Sequence, residues 1–96
     1  MGKPTGFLEI ARKDLKDQEP RARLTHWNEF HEPMAHDDIQ QQAARCMDCG
    51  VPFCHTGFEL NHGASGCPLY NLIPDWNDML YKQQWEEALK LLLKTN

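Results

Sequence analysis

The chain concentrates its four cysteines in one stretch, Cys46-Met47-Asp48-Cys49-Gly50-Val51-Pro52-Phe53-Cys54, which is completed after a gap of twelve residues by Cys67-Pro68. A 4Fe–4S cluster needs soft thiolates that converge on a compact core. Two of them can come from one turn, a third from the loop that follows and a fourth from further away. The spacing meets that requirement and makes Cys46, Cys49, Cys54 and Cys67 the predicted metal- or cluster-binding residues.

Zinc is the main alternative to a cluster at this spacing. Four thiolates, or three thiolates and the imidazole of His55 or His62, would satisfy the tetrahedral coordination of a structural zinc site. The second closely spaced cysteine pair that is typical of zinc ribbons is missing, which favours the cluster only slightly. Disulfides rank last, because the chain opens without an apolar signal-peptide core and the cytoplasmic location that we therefore expect keeps thiols reduced.

Composition limits the chain to one small, polar domain. Its 96 residues carry a formal net charge of −4 and 41% hydrophobic residues, so the core is marginal without a metal or another cross-link. The negative charge argues against nucleic-acid binding, which usually requires a clustered basic surface. No apolar run approaches the roughly 20 residues of a membrane-spanning helix. We find neither a nucleophile–base pair nor a Gly-rich phosphate loop, and we predict no catalytic residues in this chain.

The residue pattern predicts an all-α fold with an extended N-terminal arm and a cysteine-rich loop. Residues 1–20 are expected to form the arm, with a short extended stretch at 6–10. Because this segment has few apolar residues, it is expected to order against a partner protein or domain. Residues 21–96 are expected to form a helical cluster-binding domain.

Helices are predicted on both sides of the cysteine-rich loop. A short helix over 21–31 precedes a second helix over 37–49, which would carry Cys46 and Cys49 on its last turn and end at Gly50. A loop over 50–66 follows, and the spacing of apolar residues then predicts two short helices with a break at Gln83-Gln84. Packing within the helical core is the predicted role of all three tryptophans, Trp27, Trp76 and Trp85.

Several segments resemble the N-terminal region of the glutamate synthase small (β) subunit family. They are the opening Met1-Gly2-Lys3-Pro4-Thr5-Gly6-Phe7-Leu8-Glu9, the block from Gln41 to His55, the tetrapeptide Gly66-Cys67-Pro68-Leu69, the stretch from Asn71 to Asp78, the segment Trp85-Glu86-Glu87-Ala88-Leu89 and the final Thr95-Asn96. The resemblance covers nearly the whole chain, and the cysteine-containing block is its most specific part.

The resemblance implies an α-helical ferredoxin fold that holds two 4Fe–4S clusters. It implies that Cys46, Cys49 and Cys54 bind one cluster and Cys67 the other, with the remaining ligands in a second cysteine group beyond this chain. It also implies that electrons from NADPH enter at FAD in downstream domains of the same subunit, before which this chain is expected to end. They would then pass through the clusters to FMN in the large (α) subunit, where glutamate is made from 2-oxoglutarate and glutamine.

Two departures from that family leave alternatives open. The gap between Cys54 and Cys67 is longer than in many members, and the second cysteine group is absent, so neither cluster can be completed by these residues. By itself the chain is expected to be free of metal, to collect one cluster on all four cysteines, or to take zinc. Another alternative joins the cluster domain to a different NADPH- and flavin-dependent oxidoreductase, as in dihydropyrimidine dehydrogenase.

Overall fold

The computed structural model describes residues 3–95, with the side chain of Ala64 excepted. In chain order its elements are α1 (Gly6–Glu9), a 3-10 turn (Ala22–Thr25), α2 (His36–Ala43), a second 3-10 turn (Phe53–His55), β1 (Glu59–Leu60), β2 (Gly63–Ala64), α3 (Ile73–Tyr81) and α4 (Trp85–Leu92). Over residues 3–95 the only sheet is the antiparallel pair β1–β2, with two residues in each strand. The all-α prediction is confirmed.

Helix α2 ends earlier than its sequence predicts. It begins at His36, and its first turn contains Asp37 and Asp38, whose carboxylates suit the positive end of the helix dipole. It ends at Ala43 because the N–H groups of Arg45 and Cys46 bond to carbonyls three residues back, at 3.2 and 3.1 Å, which tightens the turn. The prediction that Cys46 and Cys49 share the last turn of a helix is therefore wrong, and both lie beyond it.

The left-handed residue after α2 is also displaced from the predicted position. Asp48 has a φ of 52°, and no glycine among residues 3–95 has a positive φ. Asp is one of the few residues with a side chain that tolerate this conformation. The chain therefore turns between the first two cysteines, rather than at Gly50.

Helices α3 and α4 form the larger part of the helical packing. Pro74 is buried in the first turn of α3, where its missing N–H has no helical partner to lose. The predicted break is confirmed, because Gln83 has a φ of 60° between the two helices. Helix α3 contacts both α4 and α2, and Gln40 of α2 donates from Nε2 to the carbonyl of Tyr81 at 2.7 Å. We refer to α2, α3 and α4 as the helical scaffold.

The N-terminal arm contacts the end of the helical scaffold. Gly6 is buried, and a Cβ at this position would overlap the carbonyl of Ala44. Gln42 holds the next part of the arm from both ends of its amide, donating to the Ala11 carbonyl and accepting from the Lys13 N–H, each at 3.0 Å. Residues 6–9 form the helical turn α1, so the extended stretch predicted at 6–10 is wrong. The division of the chain at residue 20 stays a prediction, as does the need for a partner.

Residues 16–32 form a second, irregular layer. The N–H of Gln18 bonds to the Phe30 carbonyl at 2.8 Å and that of Glu32 to the Lys16 carbonyl at 2.7 Å. The helix predicted over 21–31 is limited to the 3-10 turn Ala22–Thr25, because the chain turns back here to pair with the arm. Trp27 is fully exposed, so its predicted place in the core is wrong.

The core of the scaffold is small. Among residues 3–95 the buried apolar side chains are those of Pro74 and three alanines, Ala43, Ala44 and Ala88. Trp76 is half-buried, and Trp85 lies at the edge of the scaffold with its ring 4.8 Å from that of His36. No helix over the described residues has the length and apolar character needed to cross a membrane.

Candidate metal centre

Three of the predicted ligands follow one another after α2. Cys46 is half-buried directly beyond the helix, and Cys49 is exposed just after the left-handed residue Asp48. Cys54 lies in the 3-10 turn Phe53–His55, which is closed by a bond from the Thr56 N–H to the Phe53 carbonyl at 3.4 Å. All four cysteines of the chain carry free thiols.

The charges of these three cysteines interact. Cys54 is exposed overall, but partial burial of its sulfur raises the pKa of its thiol, and the charges of Cys46 and Cys49 raise that pKa further. Thiolates at Cys46 and Cys49 would thus disfavour a further thiolate at Cys54, and a bound iron or zinc centre would relieve that repulsion. The loop places Cys54 within electrostatic range of both other cysteines.

Cys67 is joined to this loop through the backbone. Its N–H donates to the Cys54 carbonyl at 2.8 Å. The preceding Gly66 packs directly on the same turn, and a Cβ there would overlap the carbonyl oxygens of Phe53 and Cys54. The absence of a side chain at Gly66 is therefore what allows the fourth cysteine to lie beside the third.

The sulfur of Cys67 has different surroundings from that of Cys54. Hydrogen bonding by the backbone N–H groups of Asn71 and Leu69 lowers the pKa of the Cys67 thiol, and the Asn71 side chain acts in the same direction. The Asn71 amide donates from Nδ2 to the Cys67 sulfur at 3.1 Å. The backbones of Cys54 and Cys67 are thus hydrogen-bonded to each other, whereas the surroundings of their sulfurs shift the two thiol pKa values in opposite directions.

The gap between Cys54 and Cys67, which lies in the loop predicted over 50–66, contains a small hairpin. Asn61 and His62 connect β1 to β2 with φ values of 50° and 68°, the pattern of a tight hairpin turn. Ser65 closes its base, donating from its N–H and its hydroxyl to the Phe58 carbonyl at 3.0 and 2.7 Å. His62, one of the two alternative zinc ligands, is exposed in the hairpin turn, and His55 is half-buried next to Cys54.

The donor set fits an iron–sulfur cluster by its chemistry. Four free thiols lie on one loop and the turn joined to it, and Cys54 lies within electrostatic range of Cys46 and Cys49. Over residues 3–95, no three Cys, His, Asp or Glu side chains converge as a ready-made site for a single metal ion. Val51 and Phe53 are exposed, with 71% and 61% of their surface accessible, so these apolar side chains do not exclude water from the thiols within this chain.

Two residues of the site escape prediction from the sequence. In the sequence Gly66 is not distinguished from the other glycines near the cysteines, and only its contact with the Phe53–Cys54 turn reveals why a side chain is excluded. Asn71 lies four residues after Cys67, and this spacing predicts a contact between their side chains only where a turn joins the two residues. Here a turn does so, closed by the Tyr70 N–H and the Cys67 carbonyl at 3.2 Å.

Comparison with protein families gives one match over most of the chain. Residues 23–96 match the family described as dihydropyrimidine dehydrogenase domain II, 4Fe-4S cluster. The matched region contains all four cysteines and begins after the arm.

Comparison with individual proteins gives similarity over the whole chain. The glutamate synthase (NADPH) small chain of Bacillus subtilis is 53% identical over 96 residues, which are 100% of this chain and 20% of the relative. The corresponding protein of Mycobacterium tuberculosis is 42% identical over 97 residues, 100% of this chain and 18% of the relative. The glutamate synthase (NADH) of Saccharomyces cerevisiae is 44% identical over 94 residues, 98% of this chain and 4% of the relative. The chain thus spans about a fifth of the length of the bacterial relatives.

Proposed function

The chain belongs to the family of 4Fe–4S cluster domains described as dihydropyrimidine dehydrogenase domain II, and on that premise we propose that it is the electron-transfer module of a glutamate synthase. The choice of enzyme is supported by similarity to small chains of that name over the whole length of this chain. The module itself carries no catalytic residues in this proposal.

The ligands proposed for the clusters are the four cysteines. Cys46, Cys49 and Cys54 bind one 4Fe–4S cluster, and Cys67 contributes to a second. The observation that supports this division is the placement of the cysteines: Cys46, Cys49 and Cys54 follow one another on the loop, whereas Cys67 lies on a separate turn and its sulfur accepts a hydrogen bond from the Asn71 amide. Remaining ligands of both clusters come from other parts of the protein.

The residues of this chain bind, space and orient the sulfurs. A bound 4Fe–4S cluster supplies the capacity to accept and release one electron at a time. The 3-10 turn Phe53–His55 orients Cys54, and Gly66 keeps the backbone of Cys67 next to it at a fixed spacing. Electron transfer requires redox centres to lie close together, and the hydrogen bond from the Cys67 N–H to the Cys54 carbonyl keeps the backbones of the two proposed ligands in contact.

Within the whole enzyme, the proposed position of this module is between NADPH and the site of glutamate formation. Electrons from NADPH would enter at FAD in other domains of the same subunit. They would leave to FMN in the large (α) subunit, for synthesis of glutamate from 2-oxoglutarate and glutamine. The large subunit and the FAD/NADPH domains are thus the proposed partners, in the cytoplasm.

The division of ligands is tested by comparing Cys46→Ala with Cys67→Ala in the full-length polypeptide, purified anaerobically. Iron and labile sulfide are counted, and the reduced clusters are followed by EPR spectroscopy. We expect each variant to lose a different EPR signal, because each removes a ligand of a different cluster. His55→Ala, which changes the neighbour of Cys54 and no thiol, should retain both signals.

Two results would contradict the proposal. Zinc in stoichiometric amount without iron or labile sulfide would assign the cysteines to a structural zinc site. Loss of the same single signal in both cysteine variants would place all four cysteines on one cluster.

A second candidate is favoured by the family description itself, which names a different enzyme. The module would then serve another NADPH- and flavin-dependent oxidoreductase of dihydropyrimidine dehydrogenase type. Oxidation of NADPH by the holoenzyme distinguishes the two candidates. Dependence on 2-oxoglutarate and glutamine together supports glutamate synthase, and dependence on a pyrimidine supports the alternative.

A further inference from the structure

Asn71 is the one buried polar residue among residues 3–95, with 8% of its surface exposed. A buried side-chain amide is unfavourable unless its polar atoms find partners. Both ends of this amide are satisfied. Nδ2 donates to the Cys67 sulfur at 3.1 Å, and Oδ1 accepts from the hydroxyl of Thr95.

The backbone around Asn71 fixes where the amide lies. On one side the turn from Cys67 to Tyr70 ends with Tyr70 in the left-handed region, at a φ of 55°. On the other side the N–H of Ile73 bonds to the Asn71 carbonyl at 2.9 Å and leads into α3. Asn71 is therefore held between the cysteine turn and the scaffold, and its side chain reaches the sulfur from the scaffold side.

The orientation of the amide depends on the state of the sulfur. An amide has donors only on nitrogen and acceptors only on oxygen, whereas a hydroxyl does both. A protonated thiol can also donate, so with a free thiol the amide could turn over and still be satisfied at both ends. A ligating thiolate only accepts, so with ligation only the orientation with Nδ2 towards the sulfur satisfies both ends.

We propose that Asn71 is a positioning residue for Cys67: its buried amide, held on its other side by Thr95, donates a hydrogen bond to the ligating sulfur and thereby orients the ligand and raises the reduction potential of the cluster. Hydrogen bonds to cluster sulfurs stabilise the more negative, reduced form. The inference rests on the proposed function, because it takes Cys67 as a cluster ligand. The Asn71 amide links the sulfur of Cys67 to Thr95, which follows α4.

The direct test detects the hydrogen bond itself, in the full-length polypeptide. The protein is produced with asparagine labelled with ¹⁵N on the side-chain amide only, and pulsed EPR is recorded on the reduced clusters. We expect one cluster signal to show coupling to ¹⁵N. That coupling should be lost in Asn71→Asp, which keeps the shape and the Thr95 contact but cannot donate from the side chain. It should persist in the matched variant Asn28→Asp, at an exposed asparagine.

The functional consequence is tested by redox titration of the same proteins. In Asn71→Asp the cluster that contains Cys67 should shift to a more negative potential, with the other cluster unchanged. Thr95→Val alters neither the sulfur nor the core and should shift the same cluster in the same direction by a smaller amount. It therefore also provides a measurement if the Asn71 variant does not fold.

The outcomes separate this inference from the function on which it rests. If Cys67→Ala leaves iron content and both EPR signals at wild-type values, the assignment of Cys67 as a ligand is wrong. If Cys67→Ala removes a cluster but wild type shows no ¹⁵N coupling, or the potentials of the Asn71→Asp and Thr95→Val proteins equal those of wild type, the proposed role of Asn71 is overturned and the function stands.

Discussion

In the helical scaffold the contacts between segments are made largely by side chains, whereas in the cysteine loop, residues 46–67, they are made mainly by the backbone. Gln40 and Gln42 of α2 reach carbonyls at residues 81 and 11. In the loop, the 3-10 turn at Cys54 and the approach of Cys67 depend on N–H to carbonyl bonds. The large apolar side chains of the loop, in contrast, are exposed: Met47, Val51, Phe53, Phe58 and Leu60.

This difference shows which part of the fold depends on burial. The scaffold is closed by packing of small residues and by amides that satisfy backbone groups. The loop obtains little stability from the hydrophobic effect, because its apolar groups remain in water. Its shape depends instead on the close approach of two backbone segments and on whatever the thiols bind.

The largest expected effect comes from breaking the close approach in the loop. Gly66→Ala adds a Cβ that overlaps the carbonyls of Phe53 and Cys54, so the backbone must separate there. We expect the full-length polypeptide to lose most of its bound iron and labile sulfide while its helical far-UV circular dichroism is retained. Overpacking of this kind costs about 1–3 kcal/mol. In the loop the strain would move the backbones of Cys54 and Cys67 apart and so displace the cluster ligands.

Gly50→Ala is the matched control for that variant. Gly50 is in the same loop, but a Cβ there meets nothing within 4 Å, and its φ is not positive. Iron content should therefore stay at the wild-type level. Equal losses of iron in the two variants would show that the loop is sensitive to any added side chain, and would remove the special role of Gly66.

An intermediate effect is expected where a scaffold side chain holds the arm. Gln42→Ala removes two hydrogen bonds, to the Ala11 carbonyl and from the Lys13 N–H. Net contributions near 0.5–1.5 kcal/mol for each bond predict a loss of about 1–3 kcal/mol in the free energy of unfolding, measured by urea denaturation. The neighbouring Gln41→Ala, on the exposed side of α2, makes the same change in helix propensity and should be close to neutral. A loss as large at Gln41 would contradict the assigned contacts.

The smallest effect on stability is expected at the most exposed aromatic residue. Trp27 is fully exposed, so Trp27→Ala should change the free energy of unfolding by less than about 0.5 kcal/mol. Trp76→Ala, at a half-buried position in α3, should cost several times more. Comparable losses in thermal or urea denaturation at both positions would mean that Trp27 is packed within the folded chain after all.

Part of the fold follows from local sequence and is predictable. The break between α3 and α4 lies where Gln83-Gln84 interrupts the apolar spacing, and Pro74 is placed in the first turn of its helix. Such features depend on residues three or four positions apart. The end of α2 is different, since residues 44–48 are compatible with a helix and the chain nevertheless leaves it to turn at Asp48.

The candidate site divides in the same way. The four cysteines as candidate ligands and the suitability of thiolates for a cluster follow from the sequence by itself, because residue type determines ligand chemistry. Only the tertiary structure decided that Cys54 lies within electrostatic range of Cys46 and Cys49, that Gly66 must lack a side chain, and that Asn71 reaches the Cys67 sulfur. Each of these depends on segments brought together by backbone hydrogen bonds, and a linear spacing does not encode such contacts.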